Sequence, residues 1–131
     1  MTSQTYLAEW AESFARLGSL ELPSAICVTG ERNQHLGPSW QYARVHLTAY
    51  PASALTIIDE VPRNEEFLAC GYPEWAIFGL LDVLLGAQTV PLYNVRIVLE
   101  KVDYDPIQSS PVAFRFAGRD AGRLIIESLR K

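Results

Sequence analysis

The chain has 131 residues, a formal net charge of −4, 49% hydrophobic and 20% charged residues. That length suffices for one hydrophobic core without staples, and the composition excludes an intrinsically disordered chain. The acidic balance excludes a nucleic-acid binder relying on an overall positive field, but not a local basic face.

Residues 4–17 read as an amphipathic helix. Tyr6, Leu7, Trp10, Phe14 and Leu17 recur at spacings of three and four, Glu9, Glu12 and Arg16 point away, and Gly18 supplies a stop. Residues 24–30 form a short predicted strand, and Glu31 to Ser39, with Asn33, Gly37 and Pro38, carries turn chemistry and is expected to be a loop. Gln41 to Tyr50 alternates: Tyr42, Arg44, His46 and Thr48 share one strand face, Ala43, Val45, Leu47 and Ala49 the other. Ala54 to Val61 is a further β-branched run closed by Pro62.

Pro73 to Leu85 has helical length, with proline in the first turn and Gly86 at the end. Pro91 to Val102 is a strand rich in Val, Ile and Tyr; Asp103 to Ser109 is a loop; Ser110 caps a C-terminal helix with Pro111 in its first position. The order α-β-β-β-α-β-α predicts one α+β domain over 1–131. Its architecture is a two-layer α/β sandwich of about four strands with two helices on one face, plus an N-terminal helical extension over 1–20.

No apolar run approaches the roughly 20 residues of a membrane span. The longest, Trp75 to Leu85, contains Asp82, and Glu9 and Glu12 fall where a signal peptide would be apolar, so the expectation is a cytoplasmic protein without membrane contact. Cys27 and Cys70 stand in mostly apolar contexts and are expected as buried thiols rather than a disulfide. With only His35 and His46 to join them, no metal-ligand spacing exists.

Several stretches resemble domain IV of translation elongation factor G. Gln41-Tyr42-Ala43-Arg44-Val45-His46-Leu47 followed by Tyr50-Pro51 is similar to that family's second strand. Tyr72-Pro73 is similar to its helix entry, and Leu99 to Phe114, with Tyr104, Ser109, Ser110, Ala113 and Phe114, is the strongest match. The resemblance covers about 24–130. It implies a ribosomal protein S5 domain 2-like fold with a left-handed βαβ crossover, which departs from the usual right-handed rule. It also implies ribosome contact through two loops at one end of the domain.

Both loops depart from the family pattern. The first, Gln34 to Trp40, has one glycine and no Lys or Arg, where the family is glycine-rich and basic; the second has Asp105 and Pro106 where the family has a histidine after its tyrosine. A carboxylate beside phosphates is repulsive, and glycines let backbone approach a nucleic acid closely. The resemblance therefore carries fold further than activity.

Candidate partner-binding residues are Arg115, Arg119, Arg123 and Arg130, with His35, Trp40, Tyr104 and Asp105 in the two loops. The four arginines lie within about 80° of one another on a helical wheel at roughly 100° per residue, with Ala113, Phe114, Ala117, Ala121, Leu124, Ile125 and Ser128 opposite. Such a stripe suits ribosomal RNA or an acidic protein; its plain alternative is a solvated face partly balanced by Asp120 and Glu127. The helix at 75–85 is apolar almost all round, which calls for a cover: either the helix at 4–17 or a second copy in a homodimer.

His46 reads as a satisfied sheet residue rather than a ligand. Asp59, Glu60, Glu65, Glu66 and Glu74 read as a solvated acidic loop rather than an acid/base pair. Ser109-Ser110 reads as capping, since no local base accompanies it. No phosphate loop or dinucleotide fingerprint occurs, so neither enzymatic activity nor a cofactor is expected. Two functions stay open: a ribosome- or translation-associated binding module without GTPase activity, and a protein-interaction or oligomerisation domain that reuses the fold without binding RNA.

Overall fold

A computed structural model describes residues 20–36, 39–61, 71–86, 91–104 and 109–129, with backbone alone at 35, 36, 39 and 40. The expected helix at 4–17, Cys70, Asp105 and Arg130 lie outside the described residues. The elements in chain order are β1 (Ile26–Leu36), β2 (Ser39–Pro51), β3 (Thr56–Asp59), α1 (Tyr72–Leu81), a π-helical turn (Asp82–Gly86), β4 (Val95–Asp103) and α2 (Pro111–Leu129). The strands form one mixed sheet in the order β1-β2-β4-β3, with β3 parallel to β4 and the other neighbours antiparallel. This is the expected α+β fold, a two-layer sandwich of a sheet and two helices.

Alternation in β2 builds the core. Ala43, Val45, Leu47 and Ala49 are buried, and they join Ile97 and Leu99 of β4, Ile77, Leu80 and Leu81 of α1, and Phe114, Ala117, Ala121 and Ile125 of α2. Tyr42, Arg44 and His46, between the buried positions, are half-buried on the other face. A strand that buries one face and wets the other specifies its register strongly, because a one-residue slip would exchange the two sets.

The largest departure from expectation is at 31–39. The residues predicted as a loop continue β1 to Leu36, and β2 starts at Ser39; the register runs unbroken from Ile26↔Ala49 to Leu36↔Ser39. Gly37 and Pro38, between the two strands in sequence, lie outside the described residues. Cross-strand side-chain pairing overrides the turn preference of Asn33; Arg32 Nε donates to Gln41 Oε1 at 3.0 Å. Among the described residues, β4 pairs with β2 only from Arg44 onward. The hairpin therefore projects past the four-stranded sheet as a two-stranded arm.

Other boundaries shift by a few residues. The strand expected from Pro91 begins at Val95, after a lead-in in which Leu92 N–H donates to the Leu84 carbonyl at 2.8 Å. The run 54–61 narrows to a four-residue strand. The helix predicted to Leu85 closes in the π turn, which buries Val83, Leu84 and Leu85 in succession.

Cys27 is exposed, not buried as expected, because the alternation that turns Val28 inward turns it outward. Leu124 is 36% exposed rather than in the core stripe of α2. Ser110 caps α2 as expected, its Oγ accepting from Ala113 N–H at 3.1 Å.

The helices meet backbone to backbone. A Cβ at Gly79 would collide with the Arg115 carbonyl, and one at Gly118 with the Ala76 carbonyl. Gly30 makes the same allowance where α2 crosses β1, against the Ala117 carbonyl and Ala121. These approaches draw α1, α2 and β1 together and bring the side chains at their rims within reach of one another.

Candidate functional site

The predicted basic stripe is not a free stripe. Arg115 donates to Asp82 Oδ2 from Nε (3.1 Å) and Nη2 (2.9 Å), and Arg119 donates to the same oxygen from Nε and Nη2, both at 3.2 Å. Asp82 opens the π turn, a deviation from α geometry that recurs at functional sites. The backbone contact at Gly79 and Gly118 places α2's arginines alongside this turn. Arg123 bonds Asp120 on its own helix at 3.0 Å.

Aromatic rings extend the pairing into a ladder. The Arg115 guanidinium lies 4.4 Å from the Phe78 ring centroid, and Arg119 lies 5.7 Å from that of Phe116. Arg32 of the arm sits 4.5 Å from the same Phe116 ring. Phe78, Arg115, Asp82, Arg119, Phe116 and Arg32 thus run in sequence from α1 across α2 to β1. Guanidinium groups stacked on rings and forked onto a carboxylate are held in orientation, which a lysine at the same place would not be.

A groove of about 330 Å³ lies at the β1 end of the ladder, lined by Glu31, Arg32, Val83, Phe116, Arg119 and Arg123. The lining carboxylate, Glu31, and Asp120, which lies outside the lining, are both already engaged. Glu31 Oε1 accepts from Arg44 Nη2 at 3.0 Å, and Asp120 accepts from Arg123 and, at 3.0 Å, from the Glu31 backbone N–H.

The outer face of the sheet holds a second polar cluster. His46 Nε2 is 2.9 Å from Asp103 Oδ2, and Nδ1 is 3.2 Å from Thr29 Oγ1. The hydrogen bond from His46, assisted by Lys101 at 3.4 Å, holds the Asp103 carboxyl below its ordinary range although partial burial opposes this. With Asp103 ionised, Nε2 carries the donated proton. Both ring nitrogens are used, as expected for a sheet histidine. The Arg44 guanidinium is held charged, its pKa raised chiefly by the hydrogen bond to Glu31.

The two predicted loop sites fare differently. His35 and Trp40 oppose each other as backbone partners near the end of the arm. Tyr104 is partly buried against the core, its ring 6.0 Å from that of Tyr72, which in turn stacks on Phe114 at 4.5 Å. Ser109 Oγ donates to the Tyr42 carbonyl at 2.6 Å, tying the chain before α2 to the base of the arm.

Sequence reasoning misses Asp82, Phe78, Phe116 and Arg32 as members of the site. Phe78 and Asp82 at i, i+4 and Arg115 and Arg119 at i, i+4 place each pair on one helix face, but nothing local says that the two faces meet. The apolar helix is covered on most sides within the chain. Among its apolar residues Trp75 (38%) is exposed and Phe78 partly so. Among the described residues no group of His, Cys, Asp and Glu could hold a metal ion, and no helix is long and apolar enough to cross a membrane.

No family profile and no curated protein matches this chain. Among solved structures it is similar to a crystal structure of a protein from Thermus thermophilus, with a TM-score of 0.70 and 18% identity. The chain shares the fold of the segment it matches. The match covers 82% of this chain and 16% of the Thermus chain, so the likeness concerns one segment of a longer protein. At this identity it speaks of architecture alone.

Proposed function

We propose that this chain is a non-catalytic binding module of the elongation factor G domain IV type, contacting ribosomal RNA or a translation-related partner without GTPase activity of its own. The observation that carries the reading is the two-stranded arm that outruns β4, with Arg32 at its base joined to the arginines of α2 through Phe116. The resemblance over 41–51 and 99–114 supports the same reading. A projecting arm backed by fixed guanidinium groups suits a phosphate-lined cleft, since arginine recognises phosphate through its planar fork.

Ribosome co-sedimentation at moderate salt tests it, with Arg32→Glu and Arg123→Glu as the variants. These leave the Arg115–Asp82–Arg119 pairing in place. The reading predicts wild-type protein in the ribosomal pellet and its loss in both variants; absence of the wild type from the pellet, or indifference to both changes, sinks it.

A second reading, a protein-interaction or oligomerisation domain, is favoured by Trp75. This indole is 38% exposed on α1, with its ring 6.3 Å from that of Phe78. Exposed tryptophan beside a second ring is a frequent anchor of protein interfaces. Light scattering across a concentration series, with Trp75→Ser as the variant, separates the two: a dimer that the substitution dissolves supports the interaction reading.

A further inference from the structure

We propose that the groove between β1 and α2 is a phosphate-binding subsite, in which Arg32, Arg119 and Arg123 grip one phosphate group of a monoester or of an RNA backbone. The proposal deepens the function argued above, and rests on it only for the identity of the phosphate's source.

Three guanidinium groups from two elements converge on one concavity. Their hydrogen-bonding capacity is not exhausted. Among the described residues, Arg32 uses Nε for Gln41, Arg119 uses Nε and Nη2 for Asp82, and Arg123 uses Nη2 for Asp120. Each guanidinium carries five N–H donors. Donors therefore remain on all three, and the groove that they line is where those donors can be met.

The charge balance favours an anion. Arg32, Arg44, Arg115, Arg119 and Arg123 gather around Glu31, Asp82 and Asp120, a local positive surplus in a chain whose net charge is −4. Each of those carboxylates already accepts hydrogen bonds from the protein. An incoming cation would meet the surplus, whereas an anion would complete it. A tetrahedral oxyanion is the best match, since it accepts from several forks at once.

Preorganisation is the second support. The Phe116 ring carries both Arg32 and Arg119, and Asp82 fixes the far side of Arg119. Two of the three grips are thus ordered before ligand arrives, so little side-chain entropy remains to be lost on binding. The volume of about 330 Å³ falls at the small end of small-molecule sites and holds a phosphate with its attached sugar.

The test is a titration of the full chain followed through the arginine Nε–H resonances. Three probes are used: inorganic phosphate, a nucleoside monophosphate, and a short single-stranded RNA. Each shifts the Arg32, Arg119 and Arg123 signals if the subsite exists. Arg32→Gln and Arg123→Gln each weaken binding about tenfold, and Arg32→Lys, which keeps the charge but loses the fork, falls between.

Tighter binding of RNA, with steep salt dependence, assigns the phosphate to a nucleic-acid backbone. Equal binding of monophosphate and RNA keeps the subsite and assigns it to a phosphate monoester. Failure of ribosome binding with intact phosphate shifts overturns only the translation reading. Absence of shifts with all three probes at millimolar concentration, or binding unchanged in both Gln variants, overturns the subsite.

Discussion

Gly79 and Gly118 face each other's helices so closely that where a Cβ would stand only hydrogen fits, at one against the Arg115 carbonyl and at the other against that of Ala76. This reciprocal contact sets the distance between α1 and α2. It is also what brings Asp82 within hydrogen-bond reach of both Arg115 and Arg119.

Gly118→Ala is expected to destabilise the fold despite alanine's better helix propensity. Propensity offers about 1 kcal/mol, whereas forcing a methyl into a packed interface costs about 1–3 kcal/mol or more, and backbone atoms move less readily than side chains. Gly86→Ala is the control, because a Cβ there has nothing within 4 Å. Urea unfolding should show a lowered midpoint for the first and no loss for the second. Equal midpoints would contradict the close packing.

Asp82→Asn removes the charge that two arginines share. The pairs are partly solvated, with side-chain exposures of 22% for Asp82, 33% for Arg115 and 41% for Arg119. The expected loss is accordingly that of a good surface network, about 1 kcal/mol. It should shrink at 1 M salt, because screening weakens the wild-type pairing. A difference in stability that salt leaves untouched would mean that packing, not charge, holds the ladder.

Acid should act through Asp103. Its carboxyl is held below the ordinary value of 3.8, chiefly by the hydrogen bond from His46. A depressed folded-state pKa means that the unfolded chain binds the proton more readily. The stabilisation is therefore complete above the ordinary value and is lost as pH falls through the depressed one. Asp103→Asn should flatten this part of the acid-unfolding profile, measured by circular dichroism, with a change of about 1 kcal/mol at neutral pH. An unchanged acid profile would assign acid sensitivity to other carboxylates.

Phe114 is fully buried and stacks on Tyr72. Phe114→Ala should cost about 3–5 kcal/mol, the range for deleting a core aromatic ring. Ser110→Ala should cost about 1 kcal/mol through the lost N-cap. Thermal unfolding that ranks the two in the opposite order would show that the aromatic contact carries little of the stability.

Much of the architecture is legible in the sequence because it rests on local periodicity. The alternation at 42–49 specifies which face of β2 is buried, and Ser110-Pro111 specifies where α2 begins. Cys27 and Leu124 escape such reading because each sits beside apolar neighbours, and local hydropathy says nothing of the strand register or helix rotation that turns a single side chain outward. The stretch 31–39 reads as a loop because Asn33, Gly37 and Pro38 are turn formers in isolation. Pairing with β2 across the hairpin outweighs Asn33, and that partner is known only once register is known.

The sequence by itself determined the order of the described elements, the buried face of β2 and the presence of arginines at helical spacing. Tertiary structure decided what those arginines face. Whether Arg115 and Arg119 meet water, RNA or Asp82 depends on the closeness of two helices from distant parts of the chain, and that closeness rests on glycines whose role is invisible until the backbones touch. Electrostatic partners across such a contact are set by distances of a few ångströms. A one-dimensional pattern does not contain them.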